Sequence, residues 1–208
     1  MDELAWDPAV TIADLLVSTD HGRVTLTGAA DTYGTTLEAE VAAYRVAGVT
    51  FVENDIVVDP AELGLRSDPD IASDIRTALA LDYQVPDDRI AVSVLDGYVT
   101  LTGTVDWYYQ RDAADDDAAM IQGVKGLTDE IYVDQPQASA ADISAGIAQA
   151  FARNAELYDD DVDVAVDGSQ ITLTGTVAIW SEYDMAEDTA WMAPGVSSVT
   201  NNIVVLFP

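Results

Sequence analysis

Side chains able to do chemistry are plentiful in one kind only: the chain carries 38 Asp plus Glu, one His and no Cys. A lone imidazole, His21, has no Cys or second His beside it, so it cannot build a transition-metal site of three or four donors. It stands beside Gly22 in a turn pattern and reads as an exposed turn residue. No serine pairs with a histidine and a carboxylate at a recognisable spacing, which leaves nucleophilic hydrolysis without support. Two aspartate runs, Asp115-Asp116-Asp117 and Asp159-Asp160-Asp161 followed by Asp163, lack the glycine at the sixth and glutamate at the twelfth position of a calcium loop. The first run reads as the outer side of a helix and the second ends just before a strand. Both read as solvated acidic surface with weak, diffuse cation association. No Gly-rich phosphate loop occurs. The chain is therefore read as non-enzymatic, with no catalytic, cofactor-binding or metal-ligating residue and no cofactor.

The aromatic residues recur more suggestively. Tyr33, Tyr108 and Trp180 each stand five residues after a Thr-Gly pair, at Gly28, Gly103 and Gly175. Trp107, Tyr109 and Tyr183 are their neighbours, and Tyr44 and Trp191 share a second slot. Two readings stand: packing within or between modules, or a patch that contacts a ligand or partner, since amphipathic rings favour interfaces.

What positions these rings is an internal repeat. Val24-Thr25-Leu26-Thr27-Gly28 returns as Val99 to Gly103 and as Ile171 to Gly175, an offset of 75 residues (99 − 24) and then of 72 (171 − 99). A second glycine follows 20 residues after each first one, at Gly48, Gly123 and Gly195, and valine always comes next. Ile71, Ile75 and Leu79, and later Ile143, Ile147 and Phe151, are four apart and predict a first helix. Asp68 is the expected cap of the earlier one, and Ser139 or Asp142 starts the later one. Alternation at Ile90, Val92 and Val94, and at Val162, Val164 and Val166, predicts a half-buried strand. Asp96-Gly97 and Gly168-Ser169 then turn the chain into a second strand, which the Thr-Gly glycine closes. Alanines on one face (Ala39, Ala43 and Val46; Ala114, Ala118 and Ile121; Ala186, Ala190 and Ala193) predict a second helix lying close to the sheet, ended by the second glycine as a C-cap. A third strand follows: Val52 to Val58, Leu127 to Val133, Val199 to Val205.

The fold class is therefore α+β: three tandem αββαβ modules, each a small three-stranded sheet with two helices packed on one face. The expected boundaries are module 1 at 1–59, a linker at 60–69, module 2 at 70–133, a linker at 134–140 and module 3 at 141–208. Projecting the offset of 75 backwards puts Leu79 on Leu4, so module 1 can hold only the last turn of its first helix. Its sheet is expected to show an uncovered apolar strip, with Trp6 placed to plug it. Another module, a second chain or residues upstream are the three candidate covers.

Composition limits the partners. Eight Lys plus Arg against 38 acids leave a net charge of −30, and Lys125 is the single lysine among 208 residues. Such a surface repels phosphate backbones and anionic headgroups, which excludes nucleic acid and disfavours anionic membranes. It reads as adaptation to concentrated salt, where the Debye length falls to about 3 Å. The opening residues have neither the basic region nor the apolar stretch of a secretory signal, so the chain is expected to be cytoplasmic.

Taken together, the αββαβ order, Asp96-Gly97 with Val99 to Val105, Gly123-Val124 leading to Ile131-Tyr132-Val133, and the counterparts in the other copies resemble the BON domain, named for bacterial osmotic-shock and nodulation proteins. The third copy carries the resemblance through Asp167-Gly168, Ile171 to Val177, Gly195-Val196, Asn201, Asn202 and Ile203. The first carries it through Gly22, Val24 to Gly28, Gly48-Val49, Val52, Asn54 and Val58. The resemblance implies a non-catalytic module associated with phospholipid or envelope binding. The expected function is a binding or scaffold protein linked to osmotic or general stress, meeting a protein partner or a second copy through the open face of module 1. The alternatives are attachment to a membrane surface and potassium or calcium sensing.

The charge density makes the first prediction. The thermal unfolding midpoint, followed by circular dichroism, rises between tenth-molar and molar KCl, and choline chloride at equal ionic strength reproduces the rise. A midpoint that falls or stays level contradicts screening of self-repulsion as the main electrostatic effect.

Overall fold

Each Thr-Leu-Thr-Gly segment is the middle strand of its own sheet. The computed structural model describes residues 2–59, 66–135, 138–155, 157 and 161–206. Module 1 contains α1 (Asp2–Trp6), β1 (Ile12–Asp20), β2 (Arg23–Ala30), α2 (Tyr33–Tyr44) and β3 (Phe51–Val58). Module 2 contains α3 (Asp68–Leu81), a 3-10 turn at Asp87–Arg89, β4 (Ile90–Leu95), β5 (Tyr98–Val105), α4 (Tyr108–Ala119) and β6 (Gly126–Val133). Module 3 contains α5 (Ala140–Arg153), β7 (Asp161–Asp167), β8 (Gln170–Val177), α6 (Trp180–Trp191) and β9 (Ser198–Val205). The sheet orders are β1-β2-β3, β4-β5-β6 and β7-β8-β9. The first pair in each sheet is antiparallel, and β2 with β3 and β8 with β9 are parallel. By packing, the chain divides into two units, Met1–Val105 with Tyr109–Tyr132, and Asp106–Tyr108 with Val133–Pro208.

The local code explains most of these elements. Two-residue hairpin turns at His21-Gly22 and Asp96-Gly97 have positive φ at both positions (48° and 85°, 54° and 84°), as a type I′ turn requires. Ser67, and not Asp68, caps α3: its Oγ accepts from the Asp70 N–H at 3.4 Å and donates to the Asp70 carboxylate at 2.6 Å. Asp68 instead accepts from the Asp96 and Gly97 N–H groups at 2.8 and 2.9 Å, tying the helix start to the hairpin turn. Helix α3 thus begins at Asp68, inside the stretch read as a linker, and residues 60–65 of that stretch lie outside the described residues. Ser139 caps α5 in the same way, bonded to the N–H and carboxylate of Asp142 at 3.2 and 2.6 Å.

The cores follow the predicted stripes. Ile71, Ile75 and Leu79, and Ile143, Ile147 and Phe151, are buried, as are Val24 and Leu26, Val99 and Leu101, and Ile171 and Leu173. On the second helices Ala39, Ala114, Ala118, Ala186 and Ala190 are fully excluded from solvent. Val46 is not part of that face: it is 44% exposed, and Ala42 and Val49 fill the core in its place.

Both glycine readings need correcting. Gly48, Gly123 and Gly195 are not C-caps. The second helices stop four residues earlier, and each of these glycines is the third residue of a following turn, closed by Val49 N–H to Val46 O, Val124 N–H to Ile121 O and Val196 N–H to Ala193 O. Their φ of 87° to 93° suits that turn position. Gly28, Gly103 and Gly175 do not close the middle strands but lie two residues inside them. They allow the neighbouring strand to approach: a Cβ on Gly103 would stand 2.2 Å from the Arg89 carbonyl oxygen, and one on Gly175 1.8 Å from that of Asp161.

This contrast is testable. Gly103→Ala lowers the stability of the intact chain by about 2 kcal/mol or more, from backbone clash and strain. Gly146→Ala, in helix α5 with open space around it, raises stability by up to about 1 kcal/mol. Denaturant titration in molar KCl measures both, and a neutral Gly103→Ala refutes the close-approach account.

Candidate functional site

Module 1 opens on a short helix at the position of the last turns of α3. Helix α1 is only five residues long, and its end coincides with that of α3 after the offset of 75 (6 + 75 = 81). Leu4 is the plug: it is 4% exposed and packs in a cluster with Val24, Leu26, Ala39, Ala42, Ala43, Val49 and Val52. Trp6 is 84% exposed and plugs nothing, because two residues along a helix carry it about 200° around from Leu4. Arg45, just past α2, holds α1 through Glu3 at 3.1 Å and through Asp7. That guanidinium beside Asp7 draws the carboxyl below its usual range, helped by the Ala9 N–H. The strip on β1 beside α1 is less open than expected. Leu15 and Val17 are half-buried against this core, in the same class as Val162 and Val164 beneath the complete α5. Strand β1 also carries a bulge between Ala13 and Leu16, with Asp14 at φ 52°.

The recurrent rings begin the second helices and serve packing. In the second unit Tyr108 stacks on Trp191, with centroids 4.4 Å apart and planes 10° from parallel, while Trp180 meets Tyr183 edge-on at 5.2 Å. The Tyr183 hydroxyl donates to Asn201 O at 3.3 Å, and the Tyr44 hydroxyl accepts from Val52 N–H at 3.1 Å. Tyr33 is half-buried, and burial, with Glu40 nearby, pushes its phenol up. Trp107 and Tyr109 remain substantially exposed. Asp106, Trp107, Asp134 and Gln135 line an open recess of about 440 Å³ in the second unit.

The sheet faces away from the helices carry Thr25 and Thr27, Thr100 and Thr102, and Thr172 and Thr174 on their middle strands. In module 2 the paired Leu95 and Tyr98 stand exposed beside that row. Module 1 presents Leu16 and Val57, with Arg23 over the Phe51 ring at 4.3 Å.

Of the acidic runs, Asp159 and Asp160 lie outside the described residues. The other run is not simply outer surface. Asp116 is exposed, but Asp115 and Asp117 are half-buried, each with one buried carboxyl oxygen lacking a hydrogen bond. Burial pushes both carboxyls up. His21 is exposed in its turn and contacts the Asp20 carboxylate. Among the described residues no three His, Cys, Asp or Glu side chains converge as metal ligands, and no helix is long and apolar enough to cross a membrane.

Sequence reasoning missed a polar latch between second helix and third strand. Asn54 donates from Nδ2 to Thr36 O at 2.7 Å and to Glu40 at 3.2 Å, and its Oδ1 accepts from Ile56 N–H at 3.3 Å. Asn201 does the same with Tyr183 O at 3.2 Å, Glu187 at 3.3 Å and Ile203 N–H at 3.2 Å. The acid-to-Asn spacing of 14 in both copies was the available signal.

Three α+β sandwiches of one repeated element order define a tandem-module protein. The chain belongs to the BON domain family, whose model matches residues 1–60, 67–135 and 139–206. It is 34% identical over 122 residues to osmotically-inducible protein Y of Escherichia coli (strain K12), a match covering 57% of this chain and 61% of that protein. Among solved structures, CdsD, a structural protein of the type III secretion system of Chlamydia trachomatis, is 12% identical, with coverage of 100% and 90% and a TM-score of 0.29. The PrgH periplasmic domain is 11% identical, with coverage of 100% and 98% and a TM-score of 0.25. At those scores neither likeness bears on function.

Proposed function

We propose that the chain is a non-catalytic binding or scaffold protein that acts under osmotic stress and is adapted to concentrated salt. The observation carrying this reading is that one BON module is repeated three times. The likeness to an osmotically inducible protein supports the stress link. The charge of −30 supports a working environment of high ionic strength and a cytoplasmic setting. The partner is a protein or a second copy of the chain, met at module 1, where Trp6 and Leu16 are exposed.

Affinity capture from lysate in molar KCl, with the intact chain as bait, recovers a recurring protein, and carboxyl-directed footprinting shows residues 2–59 protected in the complex. Flotation with vesicles of neutral and anionic lipid at the same salt, without capture of protein, replaces this reading with membrane attachment. Protection confined to modules 2 and 3 removes module 1 from the site.

A further inference from the structure

Module 2 departs from the latch of its two neighbours in sequence. The position of Asn54 and Asn201 is taken by Asp129, and that of Glu40 and Glu187 by Asp115, with the spacing of 14 unchanged (129 − 115). Where an amide donor faces a carboxylate in modules 1 and 3, a carboxyl group faces a carboxyl group here. Two ionised carboxyls in that geometry repel, and neither can donate.

The surroundings decide which one keeps a proton. Both Asp129 oxygens are engaged as acceptors, Oδ1 by the Ile131 N–H at 2.7 Å and Oδ2 by the Arg111 guanidinium. Arg111 occupies the slot of Thr36 and Tyr183, whose carbonyls receive the asparagine amide in the other modules. Among the described residues Asp115 receives no such donors. One of its oxygens is buried without a hydrogen bond, a state far less costly for a neutral acid than for an anion. The charged groups facing it are Arg111 and Asp112 from α4 itself and Asp129 from β6.

We propose that Asp115 and Asp129 hold one proton between them on the acid side of neutral pH, carried on Asp115, so that a carboxylic acid does in module 2 what an asparagine amide does in modules 1 and 3. Its release loosens α4 from β6 and gives module 2 a pH response that the amide latches of modules 1 and 3 lack. Consistently, burial and then Asp129 push the Asp115 carboxyl up to about 7, with Arg111 opposing. The sign follows from linkage. The folded chain keeps a proton that the unfolded chain gives up near 3.8, so the stabilisation is complete below that value and is lost as pH rises through about 7.

Carboxyl carbon NMR of the intact chain, labelled at aspartate and held in molar KCl, tests this. One aspartate titrates near 7. Its resonance is absent from Asp115→Asn, and its midpoint drops into the ordinary carboxylate range in Asp129→Asn, which rebuilds the latch of modules 1 and 3. Denaturant titration then shows a loss of stability between pH 6 and 8 that is removed in Asp115→Asn, an amide that mimics the protonated acid. Should that variant fail to fold, the Asp129→Asn midpoint decides. Titration of every aspartate in the ordinary range, a neutral midpoint that survives Asp115→Asn, or one that Asp129→Asn leaves unmoved overturns the proposal.

Discussion

The structure depends on how closely a helix can lie against a three-stranded sheet. In each module two large apolar side chains of the middle strand (Val24 and Leu26, Val99 and Leu101, Ile171 and Leu173) are buried, and the second helix meets the sheet with alanine. Alanine costs no side-chain entropy when buried and keeps the helix axis near the strands. The first helix brings the bulk instead, through Ile71, Ile75 and Leu79 or Ile143, Ile147 and Phe151. Small residues on one helix and large ones on the other fill a wedge that a module of some 65 residues can only just close, since small cores leave little margin.

That narrow margin explains where the polar groups sit. With 8 basic residues against 38 acids, each cation has much to neutralise, and several join separate elements. Arg45 ties α1 to the end of α2, Arg111 ties α4 to β6, and Arg76 donates to Val92 O at 2.9 Å, fixing α3 to β4. Arg66, just before α3, pairs with Asp74 in its second turn, and Lys125 donates to Asp96 O at 3.1 Å across two turns. Isolated exposed pairs contribute little. Partly buried ones such as Arg111 with Asp129 matter more for the register of helix on strand.

Much of this was legible beforehand because repetition filters accident. Three copies in register located the strands, both helices and the place of α1, where Leu4 falls on the Leu79 position and is buried as Leu79 is. What failed were inferences from single residue types. Glycine after the Thr-Leu-Thr run looked like a strand end but serves an approach by the neighbouring strand, which depends on a partner distant in sequence. Glycine after the second helix looked like a cap but serves the next turn. Asp68 looked like a cap because Asp often is, yet Ser67 reaches the Asp70 N–H and leaves Asp68 to the hairpin. Trp6 looked like a plug for its size, whereas helical phase put Leu4 inward. The Asn and Asp latch escaped because its partners lie 14 residues apart on different elements, a spacing that no local periodicity rewards.

Amide hydrogen exchange of the intact chain in molar KCl addresses the central claim, that three separate cores are built on three equivalent middle strands. The account predicts three clusters of slowly exchanging amides, centred on Val24 to Leu26, Val99 to Leu101 and Ile171 to Leu173, separated by fast exchange near residues 66 and 138. Protection confined to a single one of these strands, or running unbroken through either junction, contradicts it.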